Sequence, residues 1–531
     1  MSILFNILVA EKESSPISKP NLILNNANVI TLNPKQPLAR FVALKGDRIV
    51  AVGMDADPFF SKGKVIDCEG RTVVPGFHDA HCHVLAYGAS LLSVDCSPAV
   101  VSSVEDIKRV IRERAEMVPP GAWIRAFGYN EFYLAEKRHP TRWDLDEAAP
   151  HHPVKLTHRS GHACVLNSMA LSLAGISIET PDPPGGIIER DLESGEPNGL
   201  LYEMEDYLSQ HADSALTEQE LLEGIKLANA QYLAAGITSL QDATVSNGRG
   251  QWQFFRNLRE GSSLKPRLRI MLGFDSWREI RDQETLKDAS VPLGAVKIVL
   301  DETTGELLPA QKELNRQVLA VHRAGHQVAI HAIEENAVEA ALIALENAVK
   351  ELPRRDHRHR VEHCSVCPDL LLNRLKKVGA IIVTQPSFIY YNGDRYLAEV
   401  PQDQQPWLYN IGSFLRHGLR PAASSDSPVV PVNPLVGVYS AVTRRTKAGQ
   451  TLLPEQSVSP LQALGMYIKA AAYASFEEQE TGSIAVGKRA DLVILSQDPT
   501  AVPVEEIKDI SVEMTIAGGE IVWSTPYYRD I

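Results

Sequence analysis

Gly76-Phe77-His78-Asp79-Ala80-His81-Cys82-His83 is the stretch of sequence on which the fold assignment depends, and it follows the apolar pair Val73-Val74. If Val73 to His83 ends a β-strand, the alternation of side chains puts His81 and His83 on the same face. Two imidazoles at one strand end can bind a single metal ion. Chance alone supplies about half an H-x-H match in a chain of this length and histidine content. The motif is therefore informative only if later strand ends supply more ligands.

A second H-x-H, His357-Arg358-His359, shows how easily the pattern arises. It follows the charged run Arg354-Arg355-Asp356, and this context predicts a solvated turn. A lone histidine at a strand end is also more often a hydrogen-bonded core residue than a ligand. His78, which falls outside the alternation of His81 and His83, is accordingly interpreted as structural.

The composition is that of an ordinary globular protein with more than one domain. The chain has 531 residues, of which 44% are hydrophobic and 22% are charged. Its net charge of -13 disfavours nucleic-acid and anionic-membrane partners, because such proteins carry basic patches. The cysteines follow no regular spacing, which predicts reduced thiols in a cytoplasmic protein. They are Cys68, Cys82, Cys96, Cys164, Cys364 and Cys367.

The apolar segment Ile3–Ala10 raises the question of a signal peptide. No basic region precedes it and no small-residue cleavage site follows it, so residues 1–20 are predicted to be an N-terminal extension, with a signal peptide as the minor alternative. No stretch of the sequence is long and apolar enough to span a membrane, and no membrane partner is expected.

The two ends of the chain have the same β-rich texture. Short strand-like runs punctuated by turn residues fill residues 21–74 and return in residues 476–531. Examples are Arg48–Val52 near the first end and Ala490–Leu495 near the second. Two β-rich ends around a different middle predict one composite β-sandwich domain built from both termini.

Residues 75–475 alternate strands with helices, and eight such units predict a (β/α)8 TIM barrel, so the fold class is α/β. Helical spacing of apolar residues is clear at Asn336–Leu352 and Asp369–Lys377. The count requires a long insertion after the first barrel strand, over about residues 95–222, that contains Trp123–Tyr129 and Val154–His158. The later barrel strands are predicted at Gly236–Leu240, Leu268–Leu272, Val296–Leu300, Gln327–His331, Arg360–His363, Ile381–Thr384 and Pro421–Asp426.

Residues able to contribute to a metal site occur at or near several of these strand ends, where barrel enzymes carry out their chemistry. They are His81 and His83 on the first strand, Lys297 on the fourth, His331 on the fifth, His363 on the sixth and Asp426 on the eighth. A buried lysine loses its proton easily, and its neutral amine can add carbon dioxide to give a carbamate that bridges two cations. Two bland alternatives stay open: Lys297 as a buried ion-pair residue and Asp426 as a helix cap.

The ordered motifs of the chain resemble those of the amidohydrolase superfamily, and within it the YtcJ-like amidohydrolases (amidohydrolase family 3), the group that includes N-substituted formamide deformylase. The resemblance covers essentially everything after about Asn21. The motifs that carry it are Pro75–His83, Thr157–His162, Gly294–Lys297, Ile330–Ile333, Val361–His363, Ser425–Pro428 and Gly482–Leu492.

The resemblance implies His81 and His83 on one metal ion, His331 and His363 on a second, and Lys297 as a carboxylated bridge. It implies Asp426 as both a metal ligand and the catalytic proton acceptor. The metal implied is most often zinc, one or two ions, and the reaction is hydrolysis of an amide-type carbon–nitrogen bond. A bound divalent ion lowers the pKa of water and polarises a carbonyl, and Asp426 can pass the proton to the departing nitrogen.

Several residues are candidates for contact with a small-molecule substrate. Arg159 and His162 lie in the insertion, and Tyr129 and Gln385 are weaker candidates. The family pattern after the bridging lysine is commonly Asp-Gly-Ser, but this chain has Asp301-Glu302-Thr303-Thr304-Gly305, which puts substrate identity in doubt and adds Glu302 to the candidates. The run Tyr390–Tyr396 is interpreted as an aromatic, polar loop suited to an aromatic or amide-bearing molecule. Cys364 and Cys367 are assigned to packing.

Two rival functions stay open. His331-Ala332-Ile333-Glu334 is the kind of H-x-x-E that mononuclear deaminases use to protonate a heterocycle, although a one-metal site does not need the lysine at position 297. The other rival is a catalytically inactive homologue that serves in binding or assembly. A homodimer is expected from the family resemblance alone.

Overall fold

The computed structural model describes residues 20–56, 63–212, 216–281, 290–303 and 305–529. The N-terminal extension therefore lies outside the described residues apart from Pro20. Thr304, in the segment that differs from the family pattern after the fourth barrel strand, also lies outside them. No helix in the described ranges is long and apolar enough to cross a membrane.

The first strands come from the N-terminal part of the chain. They are β1 (Leu22–Asn25), β2 (Asn28–Ile30), β3 (Leu38–Ala39), β4 (Phe41–Lys45), β5 (Arg48–Gly53), β6 (Lys64–Asp67) and β7 (Thr72–Pro75). Four of them form one sheet in the order β5-β4-β1-β6. The other three, β2, β3 and β7, belong to a second sheet that the C-terminal strands complete.

Strand β8 (Phe77–Cys82) begins the barrel and leads into helix α1 (Val84–Ser90). The insertion follows with a sheet of its own, ordered β13-β14-β12-β11-β10-β9. Its strands are β9 (Val94–Asp95), β10 (Ile124–Tyr129), β11 (Val154–His158), β12 (Ala163–Leu166), β13 (Ile187–Arg190) and β14 (Pro197–Tyr202). Its helices are α2 (Val104–Ala115), α3 (Arg142–Ala148), α4 (Ser168–Leu173) and α5 (Glu205–His211). The two strands assigned to the insertion from sequence, β10 and β11, thus lie outside the barrel sheet.

Seven more parallel strands complete the barrel in the order β21-β20-β19-β18-β17-β16-β15-β8. They are β15 (Ile237–Asp242), β16 (Arg267–Gly273), β17 (Leu293–Val299), β18 (Val328–Ala332), β19 (Arg360–His363), β20 (Ile381–Thr384) and β21 (Ala422–Ala423). Each overlaps the strand predicted from sequence, so the barrel is confirmed. Backbone hydrogen bonds join its first and last strand ends, from Asp426 N–H to His81 and from His83 N–H to Ser427, both 2.9 Å long.

Helices alternate with these strands and cover the outside of the barrel. They are α6 (Glu218–Ala234), α7 (Arg249–Glu260), α8 (Phe274–Ile280), α9 (Gln311–Arg323), α10 (Glu335–Glu351), α11 (Asp369–Val378), α12 (Ser387–Glu399), α13 (Ile411–Arg416) and α14 (Pro434–Thr443). In α10 the buried positions include Val338, Leu342 and Leu345, at three- and four-residue spacing that directs one apolar stripe onto the strands.

The chain then returns to the terminal sheets through α15 (Pro460–Gly465), a π-helical turn at Met466–Ala470, and α16 (Ala471–Ala474). Strands β22 (Leu492–Leu495), β23 (Val512–Ala517) and β24 (Glu520–Ser524) precede α17 (Pro526–Arg529). Strand β22 pairs antiparallel with β7, giving the sheet order β24-β23-β22-β7-β2-β3. The two terminal sheets share one buried apolar cluster, so both ends of the chain do build a common β-sandwich. The domain bounds at residues 74 and 476 stay a prediction.

Two local predictions are wrong. Tyr390–Tyr396 is not a loop but part of helix α12. His357-Arg358-His359 is not a solvated turn, since all three residues are buried at the amino end of β19. Arg358 is neutralised there by Asp356 and Glu478.

The two histidines of that second motif are buried because every ring nitrogen has a partner. His359 donates from Nε2 to Nδ1 of His322 at 2.7 Å and accepts from Val328 N–H at 3.0 Å. His357 donates from Nε2 to the carbonyl of Val378 at 2.8 Å. Neutral imidazoles with satisfied nitrogens can be buried at low cost.

Candidate metal centre

His81, His83 and Asp426 meet where the first and last barrel strands end. Asp426 Oδ1 lies 3.4 Å from His81 Nε2 and 3.2 Å from His83 Nε2. The potential ligand atoms of the three residues all lie within 4.8 Å of one another. His81 and Asp426 are almost fully buried, whereas the side chain of His83 is 27% exposed. The structure thus brings together two strand ends that are separated by more than half the chain, and their three side chains form one cation-binding geometry.

Hydrogen bonds at Nδ1 orient three of the predicted histidines. His81 donates to Glu362 Oε2 at 2.5 Å, and His83 Nδ1 is hydrogen-bonded to Thr244 Oγ1 at 2.9 Å. His363 donates to Gln385 Oε1 at 3.0 Å. A partner at Nδ1 fixes the ring and its tautomer and leaves Nε2 free as a ligand atom.

Glu362 is a buried anion that sequence reasoning did not assign a role. Arg360 donates to both of its carboxylate oxygens, at 2.6 Å and 2.8 Å, and neither side chain is exposed to solvent. Arg360 also donates to the carbonyl of Ala80 at 2.7 Å and to Gln241 Oε1. The sequence did contain one signal of this role. Arg360 and Glu362 are two residues apart on a predicted barrel strand, so their side chains lie on the same face, and in the structure that face is the barrel interior.

Lys297 lies in the same interior, from the fourth barrel strand. Its Nζ is 3.3 Å from His81 Nε2, and the side chain is almost fully buried. Burial lowers the pKa of Lys297 to about 8, against the opposing attraction of Glu362 and Asp426. Among the described residues, Nζ forms no salt bridge within 4.0 Å, and its hydrogen-bond contact is with an imidazole nitrogen.

His331 and His363 lie next to each other at the ends of β18 and β19. Their ring centroids are 4.3 Å apart, and the His363 ring is 5.0 Å from that of His81. His363 Nε2 is buried and has no hydrogen-bond partner among the described residues. A buried nitrogen left without a partner is costly unless a ligand occupies it. The donor set of imidazoles, one carboxylate and one amine therefore fits a divalent metal centre.

Asp426 is held in this position by its backbone and its charge environment. Its φ is +57°, and that of His363 is +68°, so two of the strand-end residues adopt left-handed backbone that costs energy. Burial raises the pKa of Asp426, but the hydrogen bond from His83 and the neighbouring histidines outweigh it and hold the pKa well below its usual value. The neighbouring histidines thus favour the charged form of the Asp426 carboxylate.

Another buried carboxylate, that of Asp79, ties the two strand ends together. It accepts hydrogen bonds from Ser425 N–H at 3.0 Å and from the Ser425 hydroxyl at 2.5 Å. It also accepts from His81 N–H at 3.3 Å. Burial raises the pKa of Asp79 to about 6, although these hydrogen bonds oppose the rise. Asp79 thus fixes the backbone that carries both His81 and Asp426.

A cavity of about 500 Å³ opens onto this centre. Its walls include the ligand candidates His331, His363 and Asp426, and also two of the predicted substrate contacts, Arg159 and His162. His162 donates from Nδ1 to Glu203 Oε1 at 2.7 Å, and that bond raises its pKa.

The other substrate candidates do not line the cavity. Tyr129 is fully buried and hydrogen-bonded to His139 at 2.8 Å. Gln385 is fully buried behind His363, with its amide donating to Ser424 Oγ at 3.0 Å. Glu302 lies near the cavity residue Glu334. Its own burial raises the pKa of Glu302, and the negative charge of Glu334 raises it further. Gln385 orients a ligand candidate, and no sequence pattern distinguished that position from a direct contact.

A closed barrel of parallel strands with clustered histidines and a carboxylate at the carboxyl ends defines the class as a metal-dependent hydrolase. The family follows from comparison: the chain belongs to the amidohydrolase family, whose model matches residues 64–523.

Individual relatives agree with the family assignment. The chain is 31% identical to N-substituted formamide deformylase of Arthrobacter pascens over 94% of this chain and 97% of that protein. It is 28% identical to putative amidohydrolase YtcJ of Bacillus subtilis over 86% of this chain and 90% of that protein. An uncharacterized metal-dependent hydrolase from Pyrococcus furiosus superposes with a TM-score of 0.70 at 25% identity, covering 90% of this chain and 99% of that one. The resemblance inferred from the sequence motifs is confirmed.

Proposed function

We propose that the protein hydrolyses an amide-type carbon–nitrogen bond of a small molecule in a metal-dependent reaction. The observation that carries the proposal is the convergence of His81, His83 and Asp426 on one point, with Asp426 also lining the cavity. The relative named N-substituted formamide deformylase supports a formamide or a related amide as the bond that is cleaved.

His81, His83 and Asp426 would hold one metal ion, and His331 and His363 would hold a second. Zinc suits the imidazole-rich donor set. Lys297, whose Nζ lies 3.3 Å from His81 Nε2, would carry a carbamate and so supply an anionic ligand to the ions. When bound, the metal supplies a lower pKa for the attacking water and polarisation of the substrate carbonyl.

Asp426 moves the proton. Its carboxylate accepts a proton from water as the water oxygen forms a bond to the carbonyl carbon, and it returns a proton to the nitrogen as the carbon–nitrogen bond breaks. One water is consumed, and one carboxylic acid and one amine are released. His162, oriented by Glu203 on the cavity wall, is positioned to donate a hydrogen bond to the carbonyl oxygen.

The test of this role is Asp426→Asn in metal-loaded protein, assayed by release of a carboxylic acid over formamides, acyl amino acids, hydantoins, lactams and lactones. We expect the variant to retain most of its metal and to lose at least about 100-fold in kcat, the usual contribution of a positioned acid–base group. Full turnover by the variant would contradict the assignment. The surface change Asp509→Asn is a control that removes an exposed carboxylate paired with Lys508.

A second candidate is deamination of a heterocycle, and Glu334 is the observation that favours it. Glu334 lines the cavity three residues after His331, and burial raises its pKa, so it could hold a proton for a ring nitrogen. Ammonia release from adenine or cytosine, lost on Glu334→Gln, would favour this reaction over amide hydrolysis.

A further inference from the structure

The cavity has a second polar region beyond the candidate metal centre. Arg159, Tyr396 and Tyr409 form part of its wall. The two tyrosine rings stack with centroids 5.6 Å apart, and their hydroxyls are hydrogen-bonded at 3.1 Å. Tyr409 is close enough to both Arg159 and Asp426 to interact with each electrostatically. This region therefore lies within one small molecule's length of the hydrolytic centre.

Arg159 brings an uncompensated positive charge to this wall. Its Nε atom is buried without a hydrogen-bond partner, and no ion pair of its guanidinium occurs in the part of the chain that the structure describes. Burial lowers the pKa of Arg159, and the positive charge of Arg395 acts in the same direction. A partly buried guanidinium in this state is stabilised by an anion that supplies the missing partner.

The neighbouring charges are already engaged. Arg395 pairs with Glu399 at 2.5 Å, so its guanidinium already has a carboxylate partner. Glu131 attracts Arg159 electrostatically, but its Oε2 lies 2.9 Å from His158 Nε2. Arg159 is thus the cation on this wall whose N–H groups are left to bind a ligand. Its planar guanidinium can donate two parallel hydrogen bonds to a carboxylate.

Apolar side chains fill the wall around these polar groups. They are Ile333, Val366, Phe388, Leu408 and Val429. Such a lining favours an apolar substituent on the ligand, with a small number of polar groups fixing its orientation.

We propose that Arg159 binds a carboxylate of the substrate, so that the substrate class is an N-acylated amino acid or a similar amide carrying a carboxylate and an apolar side chain. This inference rests on the proposed carbon–nitrogen hydrolysis for its catalytic consequence. The proposed substrate class differs from neutral formamides, because a neutral amide would leave the Arg159 guanidinium without an anionic partner.

The kinetic test compares two substrates that differ only by the carboxylate. Racemic N-formylphenylalanine and N-formyl-2-phenylethylamine are assayed by amine release with the metal-loaded protein and with Arg159→Gln. We expect the variant to lose about 100-fold in kcat/KM for the carboxylate substrate, the scale of removing one partner of a buried charge pair. For the neutral substrate we expect less than about a threefold change. Equal losses on both substrates, or no loss on either, would overturn the inference.

A binding measurement keeps the inference separate from the proposed function. Titration calorimetry compares 3-phenylpropanoate with 3-phenylpropan-1-ol on the same metal-loaded proteins. We expect the carboxylate to bind the native chain at least about tenfold tighter than it binds Arg159→Gln, and the alcohol to bind both alike. If neither formyl substrate is hydrolysed but this difference is present, the proposed function fails and the carboxylate site stands. If the difference is absent, the site fails.

Two controls complete the design. Arg159→Lys keeps the positive charge but loses the planar guanidinium. Its kcat/KM for the carboxylate substrate and its carboxylate affinity should therefore fall between those of the native chain and Arg159→Gln. Arg114→Gln removes an exposed arginine from helix α2 of the insertion and should leave kcat/KM for both substrates unchanged. Thermal unfolding and metal content of each variant, unchanged from the native chain, show that the losses come from binding.

Discussion

Replacement of Glu362 by glutamine is the perturbation that best separates a designed metal centre from a simple cluster of histidines. Glu362 holds His81 Nδ1 at 2.5 Å and accepts two hydrogen bonds from Arg360. Glutamine has nearly the same shape, so Glu362→Gln removes a charge without opening a cavity. It leaves the Arg360 guanidinium fully buried without its anion, and it replaces the anionic acceptor that fixes the tautomer of His81 with a neutral amide.

The size of the effect follows from the burial of the pair. Neither Arg360 nor Glu362 is exposed, and removing one partner of such a pair costs about 3–5 kcal/mol because the other charge remains buried. For a domain of this size we expect the apparent melting temperature to fall by about 6–10 °C. Loss of the partner at Nδ1 should weaken metal affinity by about 10- to 100-fold.

The assay pairs differential scanning calorimetry with metal competition against a chromogenic chelator. Glu346→Gln is the matched control, because Glu346 accepts two hydrogen bonds from Arg374 in the same bidentate manner on a partly exposed surface. We expect that control to cost no more than about 1 kcal/mol. The double change Arg360→Met with Glu362→Gln should recover part of the stability but not the metal affinity. Native stability and native metal affinity in Glu362→Gln would refute the reasoning.

Two further predictions follow from the buried groups. Lys297→Ala should lower the bound metal toward one ion or less per chain, measured by inductively coupled plasma spectrometry, whereas an unchanged two-ion stoichiometry would refute the carbamate bridge. In metal-free protein, burial lowers the pKa of His357 and His359 below the unfolded value of about 6.5. The unfolded chain therefore binds more protons, and the free energy of unfolding should fall as pH drops below about 6.5, by at most about 1.4 kcal/mol per pH unit for each histidine. Urea unfolding between pH 6.5 and 5 measures this slope; His357→Asn should reduce it, while the exposed control His151→Asn should not, and a flat profile for the native chain would contradict the account.

Much of the fold could be predicted because local patterns and barrel geometry point the same way. Strands such as β18 and β20 are short apolar runs between helical segments, and eight of them in series leave few other topologies. The candidate ligands could be predicted for the same reason, since a barrel brings its strand ends together on one face.

The positioning groups could not be predicted, because their roles depend on contacts between distant segments. Nothing local distinguishes Gln385 as a partner of His363 from a substrate contact, or Tyr129 from a pocket residue. The burial of His357 and His359 was missed for a related reason. Their charged surroundings are typical of a surface, but their ring nitrogens find partners on other segments, and Arg358 pairs with Glu478, 120 positions away.

The most direct measurement of the central claim is hydrolysis as a function of bound metal. Protein stripped with a chelator is titrated with zinc while amine release from the formyl substrates and bound metal are followed together. The account predicts no turnover without metal and activity that rises in proportion to the metal bound, with His81→Ala and His83→Ala variants failing to recover either. Turnover by the metal-free chain, or full metal binding in those variants, would contradict it.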